Sequence, residues 1–154
     1  MKFDNELPNT LSELLDLALV HENMAFNSDV YHVNMEDWHY LDPVNDTVCN
    51  VCLAGSVMAF GLGVPHGEDK GPSFFHEDTA KKLYALDLIR VGEVRQALFE
   101  FYSRERAKAI ETLANDRMVN FIFYAYFEDG YDKDRDLWRH RMASISACLK
   151  RLGA

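Results

Sequence analysis

DTVCNVCLAGSVMAFGL, residues 46–62, is the run whose reading decides the fold. From Val48 to Leu62 its only strongly polar side chains are Asn50 and Ser56, so a helix here would have almost no solvent face. Asp46 or Thr47 supplies an N-cap oxygen, and Gly61 and Gly63 supply the stop. Cys52, Gly55, Ser56 and Ala59 fall at i, i+3, i+4 and i+7, a row of small side chains that lets another backbone come close. A mid-helix glycine costs about 0.5–1 kcal/mol relative to alanine, so Gly55 implies a packing reason. The spacing predicts a buried central helix over 46–62. Around it the chain reads as one mainly α domain, 1–154, of about five or six helices with a minor short β element.

Upstream, Thr10 and Glu13 form a capping box, and Leu11, Leu14, Leu15, Ala18 and Leu19 keep one helical face, predicting a helix over 11–26. His21 sits just past that face and reads as a surface or satisfied residue. Residues 27–45 lack a helical period. Val30, Tyr31 and Val33 suit a short extended piece, while Met35, Trp38, Tyr40 and Leu41 are too apolar for a free linker and are expected to fold back over the 46–62 helix.

Downstream, residues 61–72 (GLGVPHGEDKGP) hold four glycines and two prolines, the pattern of a flexible loop. Its G-x-G lacks the third glycine and the preceding strand of a nucleotide fingerprint. Helices follow over 73–90 and 93–114. Residues 118–127 (MVNFIFYAYF) suit helix or strand equally in periodicity and are read as helix, for want of a partner strand outside 30–35. Asp134 caps a last helix to residue 152 with Trp138, Met142, Ile145, Cys148, Leu149 and Leu152 on its face. Asp132, Asp134 and Asp136 imitate a calcium loop, but Leu137 stands where glycine is required and Ala143 where a carboxylate is.

The net charge of −9 is localised. Residues 1–46 contain ten Asp/Glu and one Lys, and residues 47–154 contain fifteen of each sign. An acidic first third argues against direct nucleic-acid binding and for a partner with a basic surface. Arg104, Arg106, Lys108, Arg135, Arg139 and Arg141 are candidates for an opposing basic face. No apolar run reaches the roughly 20 residues of a membrane span, and MKFDNELPNT has no apolar signal core. Three cysteines, two of them three apart, read as reduced thiols in a cytoplasmic setting.

Cys49 and Cys52 form a C-x-x-C at the expected helix start, where amides and the dipole would lower a thiol pKa. A thiol–disulfide enzyme would place this motif after a strand. A zinc site would need His66 and His76, yet nine residues separate them where a finger uses about three to five. A cysteine hydrolase would take His39, His66 or His76 as base. Against these stands simple packing: two small apolar side chains facing a neighbouring helix. No metal or cofactor is expected on the packing reading.

The block Met35, Trp38, then Cys49, Cys52, Leu53, Ala54 and Gly55 resembles small proteins encoded by bacteriophages and some bacteria, with residues 83–98 (LYALDLIRVGEVRQAL) a weaker second match. That resemblance implies origin and no particular activity. The expectation is a non-enzymatic interaction protein, phage-encoded and working in the host cytoplasm. It would bind and modulate a host protein, such as one in defence, through Glu36, Asp37, Trp38 and Asp42. The alternative is a metal- or thiol-dependent enzyme centred on Cys49 and Cys52. A third reading is a homo-oligomer joined through residues 121–127.

Overall fold

The computed structural model describes residues 6–90, 94–102, 104 and 130–154. The chain is mainly helical, and among the described residues it carries one small sheet. In order, it forms α1 (Leu11–Phe26), β1 (Tyr31–Val33), β2 (His39–Leu41), β3 (Cys49–Val51) and α2 (Leu53–Phe60). A short 3-10 turn (Pro72–Phe74) leads into α3 (Glu77–Arg90), followed by α4 (Val94–Phe101), α5 (Gly130–Lys133) and α6 (Arg135–Arg151).

The 46–62 run is therefore not one helix. Its first part is the middle strand of the sheet, whose order is β1-β3-β2. Tyr31 pairs with Cys49 and Val33 with Val51 in parallel, and His39 pairs with Val51 and Leu41 with Cys49 antiparallel. A strand buried on both faces loses the polar alternation that normally marks one, so periodicity alone does not separate it from buried helix. Asp46 and Thr47 cap nothing: they lie in the turn that brings the chain back, with Thr47 Oγ1 donating to Asn45 Oδ1 at 2.6 Å. The cap is Cys52, in extended backbone, whose Sγ accepts the Gly55 N–H at 3.3 Å. The remaining run, Leu53–Phe60, is helical, with every side chain from Leu53 to Met58 buried.

Gly55 has the packing reason its position implied. A Cβ built there would fall 1.5 Å from the Trp38 carbonyl oxygen. The backbone entering β2 thus lies directly on α2, and only glycine admits it. Met35 is buried and Trp38 is half-buried, edge-on to Tyr84 of α3 at 5.6 Å. The rest of the expected plug differs, since Tyr40 points outward and is 42% exposed.

α1 starts at Thr10, whose side chain accepts from Glu13 N–H, and it buries Leu11, Leu14, Leu15 and Ala18 against α2 and α6. Glu22 is fully buried; it accepts from Tyr131 Oη at 2.6 Å and from Arg135 Nε at 3.0 Å, and it also meets Arg139 Nη1. Asp16 accepts from Ser146 Oγ at 2.6 Å and pairs with Lys150. Arg135 and Arg139 of the expected basic face do oppose the acidic N-terminal third, as internal partners of α1. Arg106 and Lys108, and the 118–127 segment with its oligomer contact, lie outside the described residues. The 93–114 helix is described as α4 alone, and the 73–90 helix begins at Glu77. Asp134 caps α6 as expected, accepting Leu137 N–H at 3.0 Å.

Candidate functional site

The site region is the sheet and the loops that flank it. Among the described residues the loop over 61–72 is docked rather than loose. Gly63 and Gly67 take positive φ (74° and 89°), which turns residues 68–70 along the open edge of β2. There Lys70 N–H donates to His39 O at 3.1 Å and Leu41 N–H to Asp69 Oδ1 at 2.8 Å. His39 Nδ1 donates to Glu68 O at 2.6 Å, which fixes the imidazole with its proton on Nδ1.

Inside the sheet, Cys49 Sγ stands 3.5 Å from His39 Nδ1 and 3.8 Å from Nε2. Two nearly equal distances to both nitrogens put the sulfur over the ring face. An in-plane approach at those distances would drive it into a ring carbon. The thiol is therefore not aligned on the Nε2 lone pair, which faces Tyr31 Oη at 3.5 Å. Cys49 is inaccessible to solvent and His39 nearly so. Burial pushes the Cys49 thiol up and the His39 imidazole down, and burial followed by the neighbouring Cys49 raises Tyr31 to about 12. The pair rests as neutral thiol over neutral imidazole. The helix-start thiolate expected for Cys49 fails for a physical reason: the residue is on a strand, away from the α2 amides. Cys52 occupies the helix start, buried, as a hydrogen-bond acceptor.

His66 lies apart from the thiol. Its Nε2 donates to Val30 O at 3.0 Å and its ring meets Tyr31 edge-on. His76 precedes α3, where its carbonyl takes the Ala80 N–H. Among the described residues, no group of three or more His, Cys, Asp or Glu is gathered as a metal ligand set.

On the surface, Glu36, Asp37, Trp38, His39, Tyr40, Asp69, Lys70 and Gly71 line an open depression of 330 Å³. Three of the four expected partner-binding residues, Glu36, Asp37 and Trp38, come together there. Asp42 does not; it lies beyond β2, where Oδ1 accepts the Val44 and Asn45 N–H groups at 2.8 and 3.0 Å. Asp69 was missed because it belongs to the Gly/Pro loop, distant in sequence. One signal could have found it: residues 3–69 contain no lysine or arginine, so the acidic region extends to Asp69. Among the described residues, the ion pairs of this region are those of Asp16 and Glu22 with α6. Glu36, Glu68 and Asp69 are exposed, and Asp37 and Asp42 are half-buried.

No family model matches the chain, and no curated protein or solved structure matches it. No helix among the described residues is long and apolar enough to cross a membrane.

Proposed function

We propose that this chain is a non-enzymatic interaction protein that binds a basic surface of a host protein through its sheet lobe. Phage origin and action in the host cytoplasm, with modulation of a defence component as one outcome, belong to the same proposal. The supporting observation is the depression beside Trp38. Glu36, Asp37 and Asp69 surround a half-buried indole on a frame held by the His39–Glu68 hydrogen bond. Indole beside carboxylates that make no ion pair among the described residues suits a cationic, partly apolar contact. The test is capture from host lysate with the wild-type chain and with the Glu36→Lys, Asp37→Lys double variant. A partner retained by the first at low salt and lost by the second supports the reading. Equal capture by both overturns it.

A second reading, a thiol-dependent enzyme, is favoured by the 3.5 Å approach of Cys49 to His39. It requires a conformational change that exposes the sulfur and brings it onto Nε2. Native-state thiol titration separates the two, since an enzyme of this kind must react before it unfolds.

A further inference from the structure

β1 lies at one edge of the sheet, and its outer side is open. In a parallel pair, every second residue of a strand turns both backbone groups to its neighbour. Here Val30 O accepts the Cys49 N–H at 2.9 Å and Asn34 N–H donates to Val51 O at 2.8 Å, so Val30, His32 and Asn34 face β3. The N–H and C=O groups of Tyr31 and Val33 therefore point outward, where they have no hydrogen-bond partner among the described residues. An open edge is a template for another strand, and folds commonly blunt it with lysine, proline or a bulge. Tyr31–Val33 carries neither lysine nor proline, and its register with β3 is unbroken.

A cleft of 290 Å³ borders this edge. It is lined by all three residues of β1, by Phe26 of α1, by Tyr131 and Asp132 of α5, and by Arg135 of α6. Consecutive side chains of a strand point to opposite faces. A space bounded by all three of them and by none of Cys49, Asn50 and Val51 therefore lies beside the strand, off the edge of the sheet. Its helical wall is already ordered: Arg135 donates to Glu22 and Asn23 and lies over the Phe26 ring at 3.7 Å, and Tyr131 donates to Glu22. With Arg135 balanced by Glu22, the charge left to the cleft is Asp132, which is exposed and makes no ion pair among the described residues. Phe26, 52% exposed, offers the apolar surface. Residues 3–69 bring no lysine or arginine to this end of the molecule.

We propose that the β1 edge and its cleft take an extended segment of the basic partner as a fourth strand. Main-chain pairing to Tyr31 and Val33 supplies affinity, an apolar side chain of the segment packs on Phe26, and a lysine or arginine meets Asp132. The inference rests on the interaction reading above for the sign of the partner's charge. It places the contact on a surface that shares no residue with the Trp38 depression.

The test is amide hydrogen exchange and an NMR titration of the full chain at low salt, with a capped seven-residue peptide alternating lysine and valine as the probe. In the free chain the Tyr31 and Val33 amides should exchange fast, while those of His32 and Asn34, turned to β3, are protected. With the peptide, Tyr31 and Val33 should become protected, and the amides of Phe26 and Asp132 should shift. The same peptide N-methylated throughout keeps its side chains and loses its main-chain donors, and it should bind about tenfold or more weakly. Asp132→Lys, at an exposed position, should weaken the lysine–valine peptide about two- to fivefold and strengthen a glutamate–valine one. Binding that survives N-methylation overturns the edge pairing, and equal affinity for the glutamate–valine peptide overturns the basic occupant. Protection of Tyr31 and Val33 before any peptide is added means that a second copy or the chain itself holds the edge, and overturns the proposal. Shifts confined to Glu36, Asp37 and Trp38 overturn it too, while the acidic-surface reading survives. A lobe silent throughout overturns both.

Discussion

Replacing Gly55 with alanine gives the sharpest test of how the sheet is seated on the helices. In most helices this change stabilises by up to about 1 kcal/mol through backbone entropy. Here the new methyl would fall 1.5 Å from the Trp38 carbonyl oxygen, 2.7 Å from its carbonyl carbon and 3.3 Å from Val51 Cβ. The first two are backbone atoms, so no rotamer change relieves them and the chain entering β2 must move. Overpacking that shifts backbone costs about 1–3 kcal/mol or more. Set against the propensity gain, a net loss of about 2 kcal/mol is expected, and in a domain of this length that lowers Tm by about 4–8 °C. The displacement should also disturb the Trp38–Tyr84 edge contact, seen as a changed near-ultraviolet circular dichroism spectrum. The assay is urea unfolding with Cm and m both fitted, beside that spectrum. A variant equal to or more stable than wild type, with an unchanged aromatic spectrum, would refute the close approach.

Glu22→Gln should destabilise by about 3 kcal/mol in urea. It leaves the Arg135 and Arg139 charges unbalanced, at the lower end of the range for a broken buried pair because those side chains keep 19% and 29% exposure. A loss under about 1 kcal/mol would show that water replaces the carboxylate freely. Burial lowers His21 and His39 below the usual 6.5, so as pH falls through 6.5 the unfolded chain takes up protons first. The stability these neutral rings hold above that pH should therefore decline below it, by up to about 1.4 kcal/mol per pH unit for each, until the folded pKa is passed. Urea curves at about pH 7.5 and 5.5 check the sign, and His21→Leu should remove part of the slope; unchanged stability across that range would contradict it. All three cysteines are buried, so an aromatic disulfide reagent should label none rapidly in the native state and all three in denaturant. Rapid native labelling of Cys49 would favour the enzymatic reading.

Much of the helical frame was legible because its signals are local. The Thr10 cap and leucine row of α1, the Asp134 cap and apolar face of α6, and the small-residue row around Gly55 rest on spacings within one element. What the sequence concealed depends on pairing. Cys49–Val51 is a strand only because β1 and β2, drawn from a stretch without periodicity, lie on either side of it. Once that strand is in place, the C-x-x-C ceases to be a helix-start pair, and its two sulfurs do different work. Glu36, Asp37 and Trp38 were legible as a group because they are consecutive. Placing Asp69 beside them required the loop that docks on β2, and placing Tyr31 beside Cys49 required the register.

The distribution of charge follows from the same topology. Three cations of α6 lie on the face it turns to α1, where Arg135, Arg139 and Lys150 neutralise Glu22 and Asp16. α3 spends Lys82 on the Leu7 carbonyl and Asn9, anchoring the lead-in to α1. Among the described residues, neither helix extends an ion pair to the acids between Asp29 and Asp69, which sit on loops around the sheet. Like charges gathered on a small lobe repel one another, though weakly at about 10 Å or more in physiological salt. The lobe nevertheless keeps its form through contacts that are not ionic: the Trp38 carbonyl on Gly55, Trp38 against Tyr84, and His39 bound to Glu68. A negative surface built on so fixed a frame can meet a cationic partner without first being ordered by it, so less of the interaction energy is lost to immobilising the loops.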